Sequence, residues 1–169
     1  RLGIRNGVVT TIHSAMHDQP VIDAYNTDLR KTRSALQSII PVSTSLEKGI
    51  GRILPHLEGR FETLAIRVPT TNVSIMDITL TVASDTDAFG VNRMLTQASA
   101  KELDGILGVS DEELVSCDFN HDPRSAIVDL PQTRVSGKRL VKIQAWFDNE
   151  WGYSNRMLDT AIAAMAAKD

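Results

Sequence analysis

The sequence predicts an α+β fold, with a mixed, mainly antiparallel sheet and helices packed on one of its faces. Runs of alternating or β-branched apolar residues recur along the chain, which is typical of half-buried strands. Two longer stretches instead place apolar residues at helical spacing. The two kinds of segment do not alternate strictly, which favours α+β over a doubly wound fold. Short turns between consecutive strands favour antiparallel pairing.

The strand predictions start with a β-branched run that ends in His13. The next two strands are separated only by the turn "PTTN", which begins at Pro69. The remaining strands follow from short apolar runs in the second half of the chain. The predicted strands are 8–14, 61–69, 72–82, 113–119, 125–130 and 140–148.

A long polar loop and a short helix are predicted between the first two strands. Residues 15–38 carry many loop-forming residues, and such a long loop inside a domain usually has a function. Residues 43–57 predict a short helix, because Thr44 and Glu47 have the spacing of a capping box.

Two longer amphipathic helices are predicted over 85–103 and 149–168. Asp148 or Asn149 can cap the second helix. Their apolar sides consist of Phe89, Met94, Leu95 and Ala98 in the first, and of Leu158, Ile162 and Met165 in the second.

The composition is that of a globular domain with no general affinity for nucleic acid or anionic membranes. The 169 residues are enough to bury a full core, and the net charge is −3. No apolar run reaches the length of a membrane span. The single cysteine, Cys117, excludes an internal disulfide and suggests a reducing compartment.

Histidine and cysteine residues offer two candidate centres. His13 and His17 are four residues apart and Asp18 follows, which on a helix could hold zinc, although a polar loop is favoured here. Cys117 lies near His121, and a thiol beside an imidazole can form a nucleophile. A lone cysteine in a strand more often fills the core, so we expect no metal site and no nucleophile at these positions.

Basic and hydroxyl residues could together form a phosphate site. Three cations crowd one loop, two hydroxyls stand at a predicted helix N-terminus, and one arginine ends a predicted strand. Taken singly, each cation is more often a solvated surface charge. The residues are Arg30, Lys31, Arg33, Thr44, Ser45 and Arg67.

Four sequence blocks occur in a distinctive order: "TTIHSA", "IIPVST", "IRVPTTNVSIMDITLTV" and "WFDNEWGYSNRMLD". Together they resemble the catalytic, C-terminal domain of the glyceraldehyde-3-phosphate dehydrogenase family over nearly the whole chain. The resemblance implies an NAD-dependent aldehyde dehydrogenase. In this family a cysteine thiolate attacks the substrate aldehyde, hydride leaves for NAD, and a thioester results.

The resemblance also implies roles for individual residues. His13 matches the histidine that pairs with the catalytic cysteine and takes the proton. Lys31 stands where bacterial members often have arginine, so Arg33 is an alternative at that position. The residues expected to bind substrate or phosphate are Lys31, Thr44, Ser45 and Arg67. The residues expected to hold the cofactor are Asn149 and Tyr153.

Within the family, "HSAMHDQPVIDAY" and "CDFNHDPRSAIVD" are most similar to members that oxidise D-erythrose 4-phosphate. In those members water releases 4-phosphoerythronate, which feeds pyridoxal phosphate synthesis. Met16 stands where phosphorylating members commonly have threonine, and a thioether cannot donate a hydrogen bond to phosphate. The alternatives are a phosphorylating glyceraldehyde-3-phosphate dehydrogenase and a non-catalytic domain that binds a phosphorylated ligand or a protein partner.

The resemblance implies a polypeptide longer than residues 1–169. The family's NAD-binding Rossmann domain and the segment with its catalytic cysteine have no counterpart in this sequence. We therefore expect a catalytic-domain fragment that is inactive by itself and that in the intact protein belongs to a cytoplasmic homotetramer. We also expect an exposed apolar patch near Trp151, where the Rossmann domain would lie.

Overall fold

The computed structural model describes residues 1–167, which form one mixed sheet and three α-helices. The helices are α1 (Leu46–Ile53), α2 (Ala88–Ser99) and α3 (Asn149–Ala166). The strands are β1 (Ile4–His13), β2 (Ile40–Val42), β3 (Phe61–Arg67), β4 (Ser74–Val82), β5 (Leu107–Ser110), β6 (Ala126–Asp129), β7 (Arg134–Ser136) and β8 (Leu140–Phe147).

The strand order in the eight-stranded sheet is β2-β3-β1-β4-β8-β6-β5, and β7 also pairs with β8. Most pairs are antiparallel, as predicted, but β1 is parallel to β3 and β5 is parallel to β6. The expected hairpin between β3 and β4 does not form, because β1 lies between them. The connection over 68–73 instead crosses the end of β1, where the Val68 amide donates to the His13 carbonyl at 2.9 Å.

The strand predicted over 113–119 is wrong. This segment contains a 3-10 helix, Ser116–Phe119, and the Asp118 carboxylate accepts a hydrogen bond from the Val115 amide at 2.8 Å. Only Phe119 is fully buried, in a cluster with Ile127. The strands β2, β5 and β7 were not predicted, since three or four residues are too few for a periodic signal.

Helices α1 and α2 pack on the same face of the sheet, as expected. The strand registers place Thr63 and Val141 on this face. The Thr63 hydroxyl donates to Glu47 of α1, and Val141 packs against Val91 of α2. Phe89, which was predicted to face the core, is exposed because it lies in the first turn of α2 and Val91 takes the buried position.

Helix α3 begins at the cap Asp148 and contacts the rest of the domain mainly through its first turns. Its predicted apolar stripe of Leu158, Ile162 and Met165 is exposed, and Trp151 is also partly exposed. The expectation of an uncovered apolar patch near Trp151 is therefore confirmed. No helix within the described residues is long and apolar enough to cross a membrane.

Candidate functional site

Five of the residues singled out in the sequence line one cleft of about 440 Å³ at the end of the central strands. The β1–β3 register pairs His13 directly with Arg67, so their side chains share one face of the sheet. Thr44 lies in the segment between β2 and α1, and Asn149 is the first residue of α3, directly after its cap. Met16 lies in the same cleft.

His13 is held so that one of its ring nitrogens remains available as an acceptor. Its Nδ1 lies 3.1 Å from the Ser14 carbonyl oxygen, an interaction that requires Nδ1 to carry the proton. The Nε2 lone pair is then available to accept a proton. The edge of the ring also packs against Phe147, with ring centroids 5.9 Å apart. This orientation fits a general base.

Arg67 lines the cleft, and its side chain is only 13% exposed. Its guanidinium donates to the Asp18 carboxylate at 2.8 Å and to the Gln19 amide oxygen at 3.0 Å. Gln19 is 3% exposed, and its own amide nitrogen donates to the carbonyls of Arg30 and Arg33. Gln19 thus fixes Arg67 against the long loop.

Asp18 links Arg67 to Lys31, whose ammonium lies 3.8 Å from the other carboxylate oxygen. Partial burial alone would raise the pKa of Asp18, but the hydrogen bond and charge of Arg67, with the charge of Lys31, hold that pKa below its usual value. The pair of cations therefore surrounds an ionised carboxylate. A cationic pair of this kind can bind a phosphate group.

The two loop arginines do not line the cleft; Lys31 does not line it either, but it pairs with Asp18. Arg33 pairs with Asp23 at 2.8 Å on an exposed part of the loop, and Arg30 donates to the Pro41 carbonyl. The possibility that Arg33 substitutes for Lys31 is therefore not supported by this geometry.

Of the two predicted hydroxyl residues, Thr44 and Ser45, only Thr44 is part of the cleft wall. Thr44 lines it, and its hydroxyl accepts a hydrogen bond from the Leu46 amide at 3.3 Å. Ser45 is the N-cap of α1 but is exposed, and its side chain makes no capping bond. The predicted capping box does not form, because the carboxylate of Glu47 binds Thr63 in β3 instead.

The family model described as "Glyceraldehyde 3-phosphate dehydrogenase, C-terminal domain" matches residues 1–149. The chain belongs to this family. The match spans all the strands of the sheet together with α1 and α2, and the predicted fold is thereby confirmed. The glyceraldehyde-3-phosphate dehydrogenase family consists of oxidoreductases that generally use NAD, although this domain is not the one that binds the dinucleotide.

The predicted cofactor residues stand on α3, at one end of the cleft. Asn149 is half-buried and lines the cleft, and its side-chain nitrogen makes a long hydrogen bond of 3.3 Å to Glu150. An amide side chain in this place suits the carboxamide of a nicotinamide ring, since each amide offers a donor and an acceptor. Tyr153 is exposed one turn further along α3 and does not line the cleft.

Cys117 does not belong to the cleft. It is exposed in the 3-10 helix, so the expectation that it fills the core is wrong. The imidazole of His121 packs on Trp151, and Asp122 is bound by Arg124, so neither is aligned with the thiol as a catalytic pair. Within residues 1–167, no cluster of three or more histidine, cysteine, aspartate or glutamate side chains could hold a metal ion.

Sequence reasoning missed Asp18 and Gln19 as parts of the site. Asp18 was considered only as a metal ligand, and Gln19 was not considered. Both lie in a loop without periodicity, so the available signal was only their position shortly after His13, where a strand end opens into a polar segment.

Proposed function

We propose that this chain is the catalytic domain of an NAD-dependent dehydrogenase that oxidises D-erythrose 4-phosphate to 4-phosphoerythronate. The observation that carries the substrate assignment is Met16, which lines the cleft with His13 and Arg67. Its thioether offers no hydrogen-bond donor to inorganic phosphate, so water is the better acceptor for the acyl group. The family membership supports the oxidoreductase class.

In this proposal residues that line the cleft act together with Lys31, Ser45 and Tyr153, which lie outside its lining. The guanidinium of Arg67 and the ammonium of Lys31 bind the substrate phosphate. The hydroxyls of Thr44 and Ser45 provide a second anion position beside them. The amide of Asn149 orients the nicotinamide carboxamide, with Tyr153 as its neighbour on α3.

The chemistry needs a thiol nucleophile, and Cys117 lies outside the cleft. We therefore assign the nucleophile to a cysteine outside residues 1–169. The thiol loses its proton to Nε2 of His13 as its sulfur adds to the aldehyde, and the imidazolium returns this proton to the new alkoxide to give a hydroxyl. NAD, when bound, would accept the hydride. His13 takes the proton from the resulting hydroxyl through Nε2, which leaves a thioester. Water then attacks the thioester carbonyl and releases the carboxylate and the thiol.

We also propose which other domain and subunits this domain contacts in the intact protein. It would work with a Rossmann domain of its own polypeptide, in a cytoplasmic homotetramer, and its product would serve pyridoxal phosphate synthesis. The exposed apolar side of α3 supports a covering partner of this kind.

The test uses the natural full-length protein. NAD reduction is measured with erythrose 4-phosphate and with glyceraldehyde 3-phosphate, each with and without inorganic phosphate. We expect preference for the four-carbon aldehyde and no phosphate requirement, and Met16→Thr should increase the effect of added phosphate. Met16→Leu is the matched control, because it changes the side chain without adding a hydroxyl.

A preference for glyceraldehyde 3-phosphate with strict phosphate dependence would contradict the proposal and identify a phosphorylating enzyme. Absence of NAD reduction with either aldehyde, combined with binding of inorganic phosphate at Arg67, would instead indicate a non-catalytic phosphate-binding domain.

A further inference from the structure

Asp148 is a buried carboxylate that the proposed chemistry leaves without a task. It is 2% exposed and directly precedes Asn149. Its Oδ1 accepts a hydrogen bond from the Trp151 amide at 2.9 Å, which caps α3. Its Oδ2 accepts two more bonds at 2.9 Å, one from the His121 amide and one from the Asn72 side chain. One carboxylate therefore joins three separate segments of the chain.

Two of these segments have unusual backbone conformations next to Asp148. Val73 has φ 61° and His121 has φ 60°, which is the left-handed region. A β-branched residue such as valine rarely adopts it, because its Cβ crowds the backbone. Such conformations persist only where the surroundings hold them, and they cluster at functional sites. Here Asp148 binds the residue before Val73 and the amide of His121 itself.

The strained connection also reaches the catalytic side of the cleft. Ser74 follows Val73, is almost fully buried, and accepts a hydrogen bond from the Ser14 amide at 3.1 Å. Ser14 follows His13 in the chain. Covalent and hydrogen bonds thus run without a gap from Asn149 through Asp148 and the connection over 70–74 to His13.

We infer that Asp148 is a positioning residue, which fixes Asn149 relative to His13 by tying the start of α3 to the connection between β3 and β4. The inference rests on the proposed function, in which these two residues serve the cofactor and the proton transfer. Burial by itself would raise the pKa of Asp148, but the donors of Trp151, His121 and Asn72 lower it, so the carboxylate remains ionised at neutral pH.

Asp148→Asn is expected to keep the hydrogen bond that caps α3 and to disrupt the hydrogen bonds to the two loops. An asparagine keeps an acceptor oxygen for the Trp151 amide, so α3 keeps its cap. Its NH₂ group then replaces Oδ2 and faces the His121 amide, with which it cannot bond, and the Asn72 side chain, which would have to turn its amide to offer an acceptor. Asn72→Ala breaks the same link from the loop side and leaves Asp148 intact. Asp87→Asn at the exposed cap of α2 is the matched control, because its oxygen accepts only from the Gly90 amide.

The experiment is a double-mutant cycle in the full-length enzyme, with KM for NAD as the readout. We expect Asp148→Asn and Asn72→Ala each to raise this KM on the order of tenfold, because buried bonds to a charged group are lost. Asp87→Asn should leave it unchanged. If Asp148 acts through Asn149, adding Asp148→Asn to Asn149→Ala should raise KM no further. Additive effects would mean a merely structural role and would overturn the inference.

A crystal structure of the Asp148→Asn enzyme provides a readout that does not depend on the cofactor assignment. We expect Asn149 to be displaced from the cleft wall and Val73 to leave the left-handed region. Unchanged positions of both residues would overturn the inference even if the kinetics changed. If Asn149→Ala leaves KM for NAD unaltered, the proposed function fails at Asn149, and the displacement in this structure still decides whether Asp148 positions it.

Discussion

Replacing Arg67 with lysine tests how much a buried, bidentate arginine contributes to the cleft. The guanidinium donates to Asp18 at 2.8 Å and to Gln19 at 3.0 Å. A lysine keeps the charge but is shorter and lacks the fork, so we expect it to satisfy one of these acceptors. The other, most simply the oxygen of Gln19, is then buried without a donor, which costs about 1–3 kcal/mol.

Arg33→Lys is the matched control for this prediction. Arg33 also contacts an aspartate, Asp23, at 2.8 Å, but its side chain is 66% exposed. Exposed ion pairs contribute little, so we expect a change within about 0.5 kcal/mol. The two variants therefore make the same chemical change at the same distance from a carboxylate, and the Arg67 site differs in its burial and in its second acceptor, the buried Gln19.

Urea unfolding followed by circular dichroism measures both variants. Arg67→Lys should lower the free energy of unfolding by about 1–2 kcal/mol, with the slope against urea unchanged. It should also lower kcat/KM for a phosphorylated aldehyde by about 10–100-fold, because the phosphate loses a bidentate partner. Equal losses of stability in the Arg67 and Arg33 variants would refute the reasoning, since burial would then not decide the contribution.

Four further predictions concern the sheet, helix α1, the cap of α3 and the charge beside Arg67. Gly7→Ala should destabilise the fold by about 1–3 kcal/mol in thermal unfolding, because its Cβ would lie 2.8 Å from the Thr79 carbonyl oxygen. Gly49→Ala should stabilise it by about 0.5–1 kcal/mol, because the added Cβ in α1 would meet nothing within 4 Å beyond its chain neighbours and the helix backbone. The pKa of Asp148 is lowered by folding, so its contribution is present above the unfolded value of about 3.9 and is lost as pH falls through the folded value. Asp148→Asn should therefore be less stable at pH 7 but show a shallower loss of stability below about pH 4 in acid titration. Asp18→Asn should lower KM for a phosphorylated substrate a few-fold, and this difference should shrink at high salt, because the cations lose their resident counter-ion.

Much of the site was predictable from sequence as separate parts. The β-branched run before His13 and the alternating run before Arg67 were both predicted as strands, and the structure has both. The resemblance to the family supplied their roles, which periodicity cannot do. The adjacency of the two residues was not predicted from the residues, because a short turn after Arg67 favoured pairing of β3 with β4.

Local signals failed where a tertiary contact competed with them. Glu47 stands at the spacing of a capping box, yet its carboxylate binds Thr63 across to the sheet. Cys117 lies in an apolar run, yet the run folds as a 3-10 helix that buries only Phe119 in its last position. In both cases the outcome depends on a neighbour that is distant in sequence, and a single sequence does not show that neighbour.

The insertion of β1 between β3 and β4 explains both the cleft and the network at Asp148. Parallel pairing with β3 places His13 beside Arg67 at the same end of the sheet, where an antiparallel pair would separate them. The chain must then cross the end of β1 to reach β4, and the crossing carries Asn72 to the start of α3. Val73 in this crossing has a left-handed conformation, and Asp148 accepts a hydrogen bond from the side chain of Asn72 directly before it. The same strand order therefore places His13 beside Arg67 and carries Asn72 to Asp148, the residue directly before Asn149.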